Sequence, residues 1–224
     1  MNSKSVVLSS GERGMVNEQY QAFDWTSSDT IHLPVPENYQ AYTVDHIPFG
    51  ANTKQAFKLV SLETLGALFW LTSRQQFSEK HTMRHYQRLR PCFEESSVYP
   101  IQMLTWNQRE QVLRRYNPFN HTLEAVTRLS PKPLRSLYRA VDIQEGELIM
   151  LVAEPGKTPS YISGGENQVW RDTHVIQGYL SLAAEMLGLN FTSIAMTGQT
   201  LVYQLDSFGR LHGVGMNVVG SKQS

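Results

Sequence analysis

The chain has almost no cysteine, no net charge and no long apolar run, and each absence removes a class of protein. Its single cysteine is Cys92. One thiol cannot form an intrachain disulfide or a multi-thiolate metal site, so a reducing compartment is the default. Lys plus Arg and Asp plus Glu are both 20, a formal net charge of zero. A balanced chain has no overall electrostatic drive towards nucleic acid or an anionic membrane surface. No apolar run reaches the roughly 18 residues that a membrane helix needs. Near the start only Val6-Val7-Leu8 is apolar, shorter than the about 7–15 residues of a secretion signal's core. A soluble, cytoplasmic protein is the expectation. Gly-x-Gly-x-x-Gly and P-loop patterns are missing too. His81, His85, His121 and His174 do not fall at metal-ligand spacings with nearby carboxylates, so no metal is expected.

What is present suits one packed domain with an arm: 224 residues, 41% of them hydrophobic. Residues 1–18 are polar and read as a flexible N-terminus. Residues 19–48 hold Tyr20, Phe23, Trp25, Tyr39 and Tyr42 among Pro34, Pro36 and Pro48. Prolines exclude a continuous helix, and the aromatics favour burial, so an extended arm is expected. Whether it lies on its own core or on a second subunit stays open. Residues 49–224 read as the main domain. Ser61–Leu71 is a helix, with Ser61 as cap, Glu63 at its positive end, and Leu62, Leu65, Leu68 and Phe69 at helical spacing. Residues 72–90 read as a basic loop or helix end. Strands are expected at Tyr99–Trp106, Gln111–Tyr116 and Thr122–Val126, with a turn at Asn117–Asn120. A short helix is expected around Leu134–Val141, and the apolar run Glu147–Glu154 suits a central strand. A Gly-containing loop, Pro155–Gly165, then leads to a helix over Arg171–Leu187 that ends at Gly188. Phe191–Ala195 and Gly213–Val219 complete the strands. Strands flanked by helices indicate an α/β or α+β domain.

Four segments in order resemble the SagB-type (azoline dehydrogenase) branch of the nitroreductase superfamily. They are the helix Leu59–Leu71, the stretch Arg90–Pro100 ending in Tyr99-Pro100, the hairpin Arg115–Glu124, and the helix His174–Leu189. The tail Gly213–Lys222 is similar to the family's last strand. Together they span about residues 45–222. The resemblance implies an α+β nitroreductase fold, with a mixed central sheet flanked by helices. It implies an interlocked homodimer, and one FMN at each edge of the dimer interface.

It also implies site residues. The family's phosphate-binding Arg-Ser-x-Arg stretch corresponds to Ala51-Asn52-Thr53-Lys54-Gln55, which keeps a hydroxyl and one cation but neither arginine. Arginine and lysine differ in fork geometry, so the phosphate contacts are rearranged. Lys222 is the counterpart of the family's terminal basic residue. The flavin-side loop Ser-Gly-Gly-Ala is replaced by Glu94-Glu95-Ser96-Ser97, of which Ser96 and Ser97 suit the role. Two carboxylates beside a flavin disfavour its anionic reduced form. A family Lys-Tyr pair is reduced to Tyr161, the candidate for proton transfer, although a phenol with a pKa of about 10 is a weak base near neutrality. Gln177 matches the family's helix glutamine, and its neighbour is Gly178. Thr197 and Gly198, after Met196, match the place where backbone amides contact the flavin.

The leading functional expectation is an FMN-dependent oxidoreductase that moves hydride between flavin N5 and a peptide-derived or small heterocyclic substrate. A flavin-less subunit, acting as partner or scaffold in a biosynthetic complex with a partner protein or precursor peptide, is the alternative. A nitroreductase using NAD(P)H on small electrophiles is the third. Fold resemblance does not separate them, because function belongs to sites.

Overall fold

A computed structural model describes residues 6–7, 15–16, 23–25, 27, 29–37, 57–74, 76–77, 88–89, 100–128, 130–143, 145–157 and 165–222. In chain order the strands are β1 (Val6–Val7), β2 (Met15–Val16), β3 (Thr30–His32), β4 (Gln76–Phe77), β5 (Arg88–Leu89), β6 (Ile101–Asn107), β7 (Val112–Asn117), β8 (Thr122–Arg128), β9 (Glu147–Ala153), β10 (Leu189–Ile194) and β11 (His212–Ser221). The helices are α1 (Leu62–Ser73), α2 (Pro131–Ala140), α3 (Gly165–Met186) and α4 (Gln199–Val202). β1 pairs with β2 and β4 with β5. The other seven strands form one sheet in the order β10-β11-β9-β6-β7-β8-β3.

The fold is α+β as expected, but the sheet is not mixed: every described pairing is antiparallel. Short hairpins join β6 to β7 and β7 to β8, and such connections impose antiparallel neighbours.

β9 explains the layering. Its sequence ELIMLVA is wholly buried, and successive side chains of a strand point to opposite faces. Ile149, Leu151 and Ala153 enter a core with Leu65, Leu68 and Phe69 of α1 and Ile176 and Leu180 of α3. Leu148, Met150 and Val152 enter a second core with Leu134, Leu137 and Tyr138 of α2 and Leu201 and Val202 of α4. The sheet therefore lies between two helical layers.

α1 starts where Ser61 Oγ accepts from the Thr64 N–H at 3.2 Å. α2 opens on Pro131, whose missing N–H costs nothing in a first turn. α3 begins six residues before the expected Arg171; no proline in Gly165–Trp170 interrupts it. It stops at Gly188, whose φ of 66° cannot continue a right-handed helix. α4 was not anticipated; its four residues are too few for a periodic pattern.

The arm's described residues lie on the chain's own body. β3 adds to β8, with Thr30 opposite Glu124. Leu33 N donates to the His121 carbonyl at 3.0 Å, and Asp29 pairs with Arg114 at 3.1 Å. Leu33 enters the α1/α3 core while Phe23 and Trp25 pack on the other one, so the strap wraps the sheet's edge. Of the basic stretch 72–90, residues 75, 78–87 and 90 lie outside the described residues.

Candidate functional site

Asn52, Thr53, Lys54, Glu94, Glu95, Ser96, Ser97 and Tyr161 lie outside the described residues, as does Cys92. Gln177, Thr197, Gly198 and Lys222 are described, and they occupy three places.

Thr197 and Gly198 follow β10 and line a pocket of about 390 Å3. Pro133 and Leu137 of α2, Met196, Leu201 and Met216 supply apolar walls, and no described lining residue is charged. The loop rests directly on β11: a Cβ at Gly213 would fall 2.6 Å from the Thr197 carbonyl oxygen. Gln199 Oε1 accepts from Gly213 N–H at 2.8 Å and ties the start of α4 to the same strand. The volume and lining suit a flat apolar or aromatic group.

Gln177 lies across the sheet from that pocket, on the α3 side. Its Nε2 donates to Asn217 Oδ1 at 3.1 Å, and Ser193 Oγ donates to the same oxygen at 2.9 Å. Asn217 is fully buried, and its Nδ2 has no hydrogen-bond partner among the described residues. The β11 register shifts between Gly213 and Gly215, so Gln177 and Thr197 flank this bulge from opposite faces. The helix glutamine is committed to an internal amide network and is not in the pocket.

Lys222 sits at the other end of β11. Lys58 N donates to Ser221 O at 3.2 Å and Ser221 N to Lys58 O at 3.0 Å, so Lys222 emerges beside the segment that leads from Lys54 to α1. Nine residues separate it from Gly213, roughly 30 Å at about 3.3 Å per strand residue. One cofactor held by a single chain would have to run the length of β11 to touch both Lys222 and Thr197. The pocket beside Thr197 and Gly198 has no cation among its described lining residues.

The sequence reading missed Glu147, which begins β9. It is 3% exposed and lines a cavity of about 100 Å3 with Thr105, Asn107, Arg109, Glu110 and Arg114. Thr105 Oγ1 donates to Glu147 Oε1. Burial drives its carboxyl up to about 7; hydrogen bonds from Thr105 and Asn107 and the charge of Arg114 oppose the rise, and Glu110 adds to it. A lone carboxylate opening an apolar run was the available signal. Among the described residues no group of three metal-ligating side chains occurs, and no helix is long and apolar enough to cross a membrane.

No family model and no curated protein matches the sequence. Solved structures match by shape. A protein from Ralstonia eutropha assigned as a nitroreductase aligns over 89% of this chain and 92% of its own, at 14% identity and a TM-score of 0.60. A chain of the E. coli microcin synthetase McbBCD complex, solved with truncated pro-MccB17 bound, aligns over 93% and 80%, at 16% identity and a TM-score of 0.58. A protein from Anabaena variabilis assigned as a nitroreductase gives a TM-score of 0.64 at 14% identity; the match covers 93% of this chain but 42% of that one. The architecture is the nitroreductase fold.

Proposed function

We propose that this chain is an FMN-dependent oxidoreductase of the SagB type, acting on a peptide-derived or small heterocyclic substrate. The observation that carries the reading is the apolar-walled pocket at Met196–Gly198, beside the backbone that the resemblance assigns to the flavin. Bound FMN would supply a hydride acceptor there. Thr197 and Gly198 would border the ring, with Ser96 and Ser97 completing its loop. Asn52, Thr53 and Lys54, with Lys222, would hold the phosphate, and Tyr161 would move the substrate proton. Because Lys222 and Thr197 lie at opposite ends of β11, the reading includes a homodimer in which the two ends come from different copies. Residues 49–224 would be the domain that dimerises, with 19–48 as its strap. A biosynthetic assembly with a partner protein or precursor peptide is the natural setting, in line with the microcin synthetase likeness.

A second reading, a flavin-less subunit of such an assembly, is favoured by the lack of any cation among the described residues that line the pocket. Absorbance decides between them. Purified protein with bands near 370 and 450 nm, about where flavins absorb, supports the oxidoreductase. Protein that stays colourless after incubation with excess FMN overturns it and leaves the scaffold.

A further inference from the structure

One line of residues across the sheet joins the buried carboxyl of Glu147 to the strap. Asn107 of β6 faces Glu147 of β9, and Thr105, two residues back on the same face, faces Arg114 of β7. Arg114 in turn faces Ala125 of β8, whose N–H donates to the Asp29 carbonyl of the strap at 2.8 Å. Glu147 accepts hydrogen bonds from Thr105 Oγ1 and the Asn107 side chain, both of them neutral donors. The Arg114 guanidinium is directed the other way. Its Nη1 donates to Asp29 Oδ2 at 3.1 Å and its Nε to Glu110 Oε2 at 3.3 Å. Those two carboxylates are 61% and 43% exposed, whereas the Arg114 side chain is 11% exposed. Arg114 and Glu147 line the same cavity of about 100 Å3, whose wall includes Ile31 of the strap and Leu62 and Leu65 of α1.

We propose that Glu147 is a latch for the strap: its ionisation turns the Arg114 guanidinium away from Asp29 into the shared cavity and loosens residues 29–33 from β8. Opposite charges attract more strongly in the interior than at an exposed contact, where water screens them. A Glu147 anion therefore outcompetes the exposed Asp29 for Arg114, and the cavity gives the guanidinium room to turn. Burial raises the Glu147 carboxyl to about 7, so the strap is fastened below that pH and loosened above it. Arg109 and Glu110 also line the cavity, from the turn between β6 and β7. Arg109 is exposed, and drawing it inward would leave the strap in place. From α2, Tyr138 donates to the Gly146 carbonyl, and burial pushes its phenol up, so it stays neutral. β11 sets Val219 opposite Glu147, and no charged residue of α1 or β11 lines the cavity. His121 holds the strap too, through Pro34, but burial keeps its pKa below 6.5. It is therefore mainly neutral across the range in which Glu147 ionises.

The test follows backbone hydrogen exchange over Thr30–Leu33 in the full chain between about pH 6.5 and 8.5, either side of the Glu147 value and corrected for the intrinsic rate. Protection should fall about threefold across that range, the size expected for one exposed ion pair, and should stay level in Glu147→Gln. Asp29→Asn should show the lower protection at both ends. Linkage requires the reverse effect as well. With Asp29 no longer competing for Arg114, Glu147 should ionise more readily, and its midpoint should drop by about half a pH unit, the same threefold. That midpoint is read from the carboxyl 13C resonance of Glu147, assigned by its absence from Glu147→Gln. The latch is overturned if protection of the strap does not change with pH, or if Glu147→Gln keeps the change. It is overturned equally if Asp29→Asn leaves the Glu147 midpoint where it was. A parallel loss of protection over Leu148–Val152 would also overturn it, because the whole sheet would then be opening and not the strap.

Discussion

His121 Nε2 lies 3.1 Å from the Pro34 carbonyl oxygen, which can only accept, so the ring proton is on Nε2. Nδ1, 2.9 Å from Tyr116 Oη, is left to accept from the phenol. Burial holds the imidazole below its ordinary pKa of 6.5, the hydrogen bond to Pro34 opposes that shift, and the charge of Arg74 reinforces it. A depressed histidine contributes fully above the unfolded value and loses stability as pH falls through the folded one. Tyr116→Phe should therefore cost about 1 kcal/mol at pH 8 and much less at a pH below the depressed folded value, where protonated Nδ1 no longer accepts; denaturant melts at the two pH values measure this. An equal cost at both would refute the tautomer. Glu147 has the opposite sign. Its folded value of about 7 stands above the ordinary 4.5, so its contribution is whole below 4.5 and lost as pH rises through 7. Glu147→Gln keeps an acceptor for Thr105 and removes the ionisation. At pH 8 it should be more stable than the parent by on the order of 3 kcal/mol, with the gain gone at pH 4.5. A variant that is no more stable at pH 8 would show that Glu147 ionises without penalty.

Among the elements, the strap carries the clearest consequence. A chain starting at residue 19 keeps Phe23, Trp25, Asp29, β3 and Leu33, whereas one starting at residue 38 loses them all. The first should melt within about 2 °C of the full chain, and the second roughly 10 °C or more lower, since several kcal/mol of burial and pairing disappear. Equal melting points would mean that the strap adds nothing to the fold. Its course could not be read from the sequence: aromatics among prolines call for burial without saying against what, and β3 is only three residues long. Elements with a strong period were legible. Leu65, Leu68 and Phe69 in α1 and the continuous run of β9 follow from local pattern alone. Of the expected site residues, only four are described. Thr197 and Gly198 do line a pocket, but the tie of Gln177 to Asn217 and the distance of Lys222 arise from the register of β11 against β10, which no local pattern carries.

For the molecule as a whole, the exposed side of α3 bears on the proposed homodimer. Trp170, His174, Gly178 and Leu182 form one row of i+4 spacing, and all four are exposed. Trp170 and Leu182 are 41% and 46% exposed, and no atom lies within 4 Å of where a Cβ on Gly178 would be. Two large apolar side chains around an open notch can interdigitate with the same row of a second helix, the ridge-into-groove contact of rows four apart. A chain of zero net charge offers little repulsion against such a contact. Leu182→Glu sets a carboxylate in the middle of that contact and should weaken self-association by about 10-fold or more, read by sedimentation velocity over a concentration series. If the flavin is held by the ends of two copies, absorbance near 450 nm should fall with the dimer, since each copy holds Lys222 and Thr197 at opposite ends of β11. A monomeric parent would remove the homodimer. A variant that dissociates yet stays yellow would keep the cofactor but assign it to a single chain, with its phosphate held by the segment that contains Thr53 and Lys54.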